Sequence, residues 1–170
     1  IGYKGHITLP VRITPNDPSV PVSVELQMEF GVCSDICVPA DARFNAKLGS
    51  HPEDGVPAIK AALQDLPLSA QSADVRSATC SLSPNGSGFD ITADLKFTSA
   101  LKGKHTTVIE YEDPDIWIDI AQSSITGRTL TANATMEFYG DGMLTVDRSA
   151  IRITVLDGTK AVEIQGCPAS

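Results

Sequence analysis

The 170 residues are 42% hydrophobic and 20% charged and carry a formal charge of -8, which describes a globular chain with room for one substantial domain or two small ones. The acidic surplus is spread along the chain and argues against nucleic acid as a partner, since a phosphate backbone demands a basic stripe. No apolar run approaches the roughly 20 residues needed to cross a bilayer, and no signal-peptide pattern stands at the front. The first residue is Ile1 rather than Met, which leaves room for a leader or an upstream segment.

Thr, Val, Ile, Gly and Pro are plentiful, and apolar residues alternate with polar ones as in antiparallel sheets, so the fold class is all-β. Three strands are expected first, over His6 to Thr14, Val20 to Phe30 and Val38 to Leu48, separated by the turn cluster TPNDPS and by a cysteine segment. HPEDGVPAIKAALQDLP then reads as a short linking helix carrying Ala58, Ile59, Ala62, Leu63 and Leu66, closed by Pro67. Further strands are expected at 75–83, 89–97, 105–111, 116–122, 128–138, 143–147, 150–156 and 160–166, with PNGSG, EDP, YGDG and LDG as turns. Residues 72–170 therefore form a β-sandwich able to stand alone, preceded by a helical linker at 51–71. Residues 1–50 bury too little apolar surface to be stable alone. They are expected to be either the last strands of a domain that begins upstream or strands packed on the second sandwich.

The cysteine segment, FGVCSDICVPA, carries the chemistry. Val22, Val24, Leu26, Met28, Phe30 and Val32 occupy even positions, and Val38, Ala40, Ala42, Phe44, Ala46 and Leu48 continue the even apolar series. Cys33 and Cys37 both fall on the odd, polar face. Four residues of extended chain would hold their α-carbons about 13 Å apart, too far for a disulfide, so the chain must reverse at Ser34-Asp35-Ile36. That reversal sets Cys33 against Cys37, Phe30 against Ala40, Met28 against Ala42, Leu26 against Phe44 and Val22 against Leu48, apolar meeting apolar throughout.

A bridge across so short a loop adds little through chain entropy, and accessible disulfides tend to be the labile, catalytic ones. The geometry favours a redox pair and leaves a static bridge or a metal site as alternatives. Zinc is disfavoured because His6 and His51, the nearest further ligands, are remote in sequence. Asp35 in the loop, and Glu29 opposite Asp41, surround the sulfurs with negative charge that disfavours thiolate, so the couple is expected to donate electrons rather than oxidise strongly. The alternative is an ordinary solvated acidic face.

Cys80 and Cys167 enclose nearly the whole second segment and are expected to form a structural disulfide worth roughly 4 to 5 kcal/mol in the chain-entropy model, two free thiols being the alternative. Two disulfides in a small β-rich chain imply an oxidising compartment. No hydrolytic triad, nucleophile elbow or phosphate loop is present. Asp113, Asp115 and Asp119 around Trp117 read as the ordinary charges of a surface strand. Met28, Met136 and Met143 are too dispersed for a copper cluster, and the acceptor pattern Asn133-Ala134-Thr135 is a frequent coincidence.

IGYKGHITLPVRI and VSVELQMEFGVCSDICVPADARFNAKL resemble the end of the amino-terminal periplasmic region of the thiol:disulfide interchange family DsbD, and more closely its ScsB-like relatives linked to copper tolerance. The resemblance covers about residues 1–48. Its specific part is aromatic-x-x-Cys, a short spacer, then Cys-x-Pro, and the C-x3-C spacing is that of the ScsB-like members. It implies an immunoglobulin-like domain of a periplasmic, inner-membrane-anchored protein. Such a domain takes electrons from a membrane-embedded domain of the same polypeptide and passes them to thioredoxin-like periplasmic proteins without a bound cofactor. By the same resemblance Cys37 forms the mixed disulfide and Cys33 resolves it. The family's acidic, aromatic cap loop precedes the strand matching IGYKGHITLP, so either an uncovered disulfide or shielding by another part of the chain is expected here. The alternative function is a non-catalytic β-sandwich adaptor, or a Cu(I) site made by the Cys33 and Cys37 thiolates.

Overall fold

The computed structural model describes residue 3 and residues 5–48 and 56–169; His51 and the start of the expected linker lie outside them. The chain divides between Asp65 and Leu66 into two compact units.

The first unit is built on one antiparallel hairpin, β1 (Val22–Cys33) and β2 (Cys37–Leu48), paired from Val22↔Leu48 to Cys33↔Cys37. This is the register that the even apolar series dictates, since a slip by one residue would turn every apolar side chain to the other face. The helix α1 (Val56–Gln64) follows, with Pro57 in its first turn, where a missing N–H costs no intrahelical bond. His6 to Thr14, expected as a strand, forms no ladder. Pro10 removes a donor from its middle, and the segment instead sets Val11 and Ile13 beside Val24, Leu26 and Phe44 along an open apolar trough of about 420 Å³.

The second unit is an all-β, immunoglobulin-like sandwich. One sheet has the order β3 (Leu68–Ser69), β11 (Ala161–Gln165), β10 (Ile151–Leu156) and β6 (Thr106–Tyr111). The other runs β4 (Val75–Pro84), β5 (Gly88–Phe97), β9 (Thr129–Phe138) and β7 (Ile116–Ile118), with β8 (Gln122–Thr126) also on β9. Inward positions alternate along each strand, so Ile91, Leu95, Leu130, Ile151 and Ile153 meet in the core, all at 1% exposure or less. Each such side chain contributes about 1.5–3 kcal/mol.

Two expected strands of this unit come out differently, and one short strand was not expected. The 116–122 strand splits into β7 and β8, because three residues, Asp119 to Ala121, face two on β9 between the pairs Ile118↔Met136 and Gln122↔Asn133. Asp119 holds this bulge by accepting the Thr135 N–H on its carboxylate at 2.7 Å. Beyond it, β8 turns into β9 through Gly127-Arg128, and Gly127 takes the φ of 62° that a two-residue hairpin loop asks of its first residue. Residues 143–147 form no strand: the chain passes the sheet without a ladder partner, Val146 packs on the core, and the Asp147 N–H donates to the Tyr111 hydroxyl. The pair β3 and β11 is parallel and only two residues long, too short to read in the sequence.

Candidate functional site

The site grows from the end of the hairpin. Ser34, Asp35 and Ile36 make the loop, with the Ser34 N–H donating to the Ile36 carbonyl at 3.1 Å. Cys33 and Cys37 face each other as the last pair of the ladder and are joined in a disulfide, their α-carbons 4.0 Å apart. Both residues are exposed. The sulfurs lie on the odd face, as alternation along the strands requires.

The next pair inward on that face is Gly31↔Pro39. Gly31 offers no side chain there, and a Cβ added to it would lie 3.8 Å from the Cys33 Sγ. One flank of the disulfide is therefore unguarded, and Pro39 is tolerated because a two-stranded ribbon has only edges. Beyond that row stands Glu29↔Asp41, two carboxylates directly opposite, and Asp35 sits in the loop, so the three expected modulators bracket the sulfurs along the hairpin. On the other face Val32 and Val38, with Ile36 in the loop, leave an apolar tip in water, Ile36 at 76% exposure. That tip and the bare position at Gly31 were not singled out in the sequence. The signal was available, since the even series simply runs past the point where the hairpin has anything to cover it.

Cys80 and Cys167 form the second disulfide, both fully buried in the sandwich. Cys80 lies on the inner face of β4, and its N–H donates to the Pro168 carbonyl at 2.8 Å. The Arg148 guanidinium donates to the Cys80 carbonyl at 2.7 Å and reaches the Cys167 carbonyl at 3.5 Å. Asp113 and Asp119 are both occupied by backbone N–H groups, of Asp115 and Thr135. Among the described residues no three His, Cys, Asp or Glu side chains gather as a metal site.

Residues 1–48 match the family described as thiol:disulfide interchange protein DsbD, N-terminal. The DsbD N-terminal match spans both strands of the hairpin and both of its cysteines. A solved structure, the N-terminal periplasmic domain of ScsB from Proteus mirabilis, is similar to the chain with a TM-score of 0.60 at 16% identity, covering 82% of this chain and 55% of that one. The chain thus spans about half the length of the ScsB structure, and at this identity the likeness speaks for the fold. Comparison with curated proteins gave no match. The DsbD-type match and the bonded, exposed cysteine pair together support a thiol–disulfide exchange module.

Proposed function

We propose that the chain is a periplasmic protein-disulfide reductase module that relays electrons from a membrane-embedded domain of the same polypeptide to thioredoxin-like partners through Cys33 and Cys37. The observation that carries this reading is the Cys33–Cys37 bond at an exposed hairpin tip with the bare Gly31 beside it. A nucleophilic sulfur must approach a disulfide along its S–S axis, and a side chain in the adjoining row would stand in the way.

In the reduced form the Cys37 thiolate attacks one sulfur of the partner's disulfide, forming a mixed disulfide and expelling the partner's other sulfur as thiolate. The Cys33 thiolate then attacks the Cys37 Sγ, restoring the Cys33–Cys37 bond and expelling the second partner thiolate. The partner has gained two electrons and, with two protons, becomes a dithiol; the module has lost both electrons. A donor dithiol recharges it by the same two attacks in reverse. No cofactor enters, because the electron pair travels in the sulfur–sulfur bonds. Asp35, Glu29 and Asp41 disfavour the thiolate form of the reduced pair, which supports a couple that gives electrons away.

The test is to incubate the reduced protein with an oxidised thioredoxin-like protein and count partner thiols. Transfer by the wild type and none by Cys33→Ser/Cys37→Ser is expected, with Cys33→Ser alone trapping the mixed disulfide. Equal transfer by wild type and the double variant would reject the relay, and a thiol-dependent, stoichiometric uptake of Cu(I) without transfer would assign the pair to metal instead. A reduction potential of about -120 mV, that of the strongest disulfide oxidants, would overturn the donor reading.

A further inference from the structure

The second unit carries an exposed aromatic surface that disulfide chemistry does not use. Where β7 pairs with β9, Trp117 stands opposite Glu137. The flanking positions complete a two-by-three array: Tyr139 donates its N–H to the Asp115 carbonyl at 2.8 Å, and Asp119 donates its own to the Thr135 carbonyl at 3.1 Å. Ile118 and Met136 point into the sandwich, so by alternation Trp117 and Glu137 share its outer face; the Tyr139 hydroxyl lies against Glu137 there, and the Asp115 carboxylate lies close to Gly140, next to Tyr139.

Trp117 is 64% exposed and Tyr139 is 72% exposed. The Tyr139 hydroxyl donates to the Glu137 carboxylate, which pins the ring. The chain after it turns at Gly140, where a Cβ would meet the Phe138 ring at 2.5 Å and the Asp115 carboxylate at 3.1 Å, so any larger residue there would push these side chains aside. Rigid, half-polar rings held in water are the residues that anchor interfaces when a partner covers them.

Charge decides the partner. From Glu110 to Asp147 the sequence holds eight carboxylates and one cation, Arg128. Arg128 lies in the turn before β9, at the opposite end of that strand from Glu137. The array therefore offers rings and acceptors, and its donors reduce to the Trp117 indole N–H, since the Tyr139 proton is committed to Glu137 and the Thr135 hydroxyl is directed to Asp90. A ligand that brings only donors and positive charge, and that stacks on an indole, matches both features; guanidinium does so best and ammonium next. A sugar also stacks on indole, but its several hydroxyls ask for more donors than one indole N–H supplies.

We propose that the outer face of β7 and β9 around Trp117 docks a basic protein segment, laying an arginine or lysine side chain over the indole within hydrogen-bonding reach of Asp115 and Glu137. This surface works independently of the Cys33–Cys37 chemistry. Trp117 is the only tryptophan of the chain, so its fluorescence reports on the surface directly.

Titrating the oxidised full chain with a hexa-arginine peptide at low salt should change that emission saturably. By calorimetry, Trp117→Ala and Asp115→Asn/Glu137→Gln should each weaken binding by about tenfold or more, while the matched charge removal Glu25→Gln/Asp65→Asn should change it less than about twofold. Glu137→Gln alone keeps the side chain's shape and should act in the same direction, which covers misfolding of the double variant. No saturable change, equal weakening by both charge pairs, or saturation by an N-acetylglucosamine oligosaccharide but not by the peptide would overturn the proposal.

Discussion

Two disulfides in one chain differ in nearly every physical respect. Cys80–Cys167 ties residues 87 positions apart, lies at 0% exposure, and is braced by Arg148 on the carbonyls of both cysteines. Cys33–Cys37 ties residues four positions apart and lies in water beside a residue with no side chain. In the chain-entropy account the long loop is worth about 4–5 kcal/mol and the short one about 2 kcal/mol. A bridge that stabilises little and is open to attack suits turnover; one that stabilises much and is sealed suits permanence. The difference lies in loop length and packing, since the bond itself is the same.

The contrast breaks most visibly if the cysteines are exchanged in role. Cys33→Ser/Cys37→Ser should abolish disulfide exchange while leaving the thermal transition of the second unit in place. Cys80→Ala/Cys167→Ala should retain exchange and lower the stability of that unit by about 4 kcal/mol, read by denaturant unfolding. Loss of exchange in the second variant while the hairpin remains folded would overturn the assignment.

A gentler probe is selective reduction. Brief treatment of the folded protein with dithiothreitol, followed by alkylation and mass spectrometry, should label Cys33 and Cys37 and spare Cys80 and Cys167 until denaturant is added. Labelling of all four without denaturant would mean that burial does not protect the long bridge.

Smaller still is the effect of closing the unguarded flank. Gly31→Val suits an extended strand and meets no backbone, yet sets its branched carbon beside the Cys33 sulfur. Exchange should slow several-fold with the circular dichroism unchanged; an unaltered rate would show that attack comes from another side.

The smallest expected effect belongs to the β10–β11 turn of the second unit. The backbone N–H groups of Lys160 and Thr159, and then the Thr159 hydroxyl, donate to the Asp157 carboxylate and hold its pKa down, from 3.8 to about 2. Because the folded value is depressed, the stabilisation is fully present above the unfolded value of 3.8 and is lost as pH falls through about 2. Carbon-13 NMR should place the Asp157 midpoint near the lower value, and Asp157→Asn should flatten that acid limb of the stability curve. An ordinary carboxylate midpoint would remove the turn's contribution.

How much could be read in advance varied with the range of the interaction. The β1–β2 register followed from period-two alternation over both strands, which fixes which face is apolar, together with the reversal that brings Cys33 opposite Cys37. The partnership of Cys80 with Cys167 followed from their places near the first and at the last strand of the second segment. His6 to Thr14 and residues 143–147 alternate just as well, yet neither has a ladder, because alternation records which face is apolar and not whether a neighbouring strand is present. Asp119 reads in the sequence as an ordinary surface charge, yet it serves as a backbone acceptor at a bulge that no local pattern announces.

The amino-acid sequence by itself determined the all-β class, the reversal at Ser34-Asp35-Ile36 and the meeting of Cys33 with Cys37, since each rests on geometry within a few residues of the chain. Only the tertiary structure decided the strand order of the sandwich, the sealing of Cys80–Cys167 beneath Arg148, and the gathering of Trp117, Glu137 and Tyr139 on one outer face. Those depend on contacts between residues tens of positions apart, where packing selects among many pairings that the local pattern allows equally.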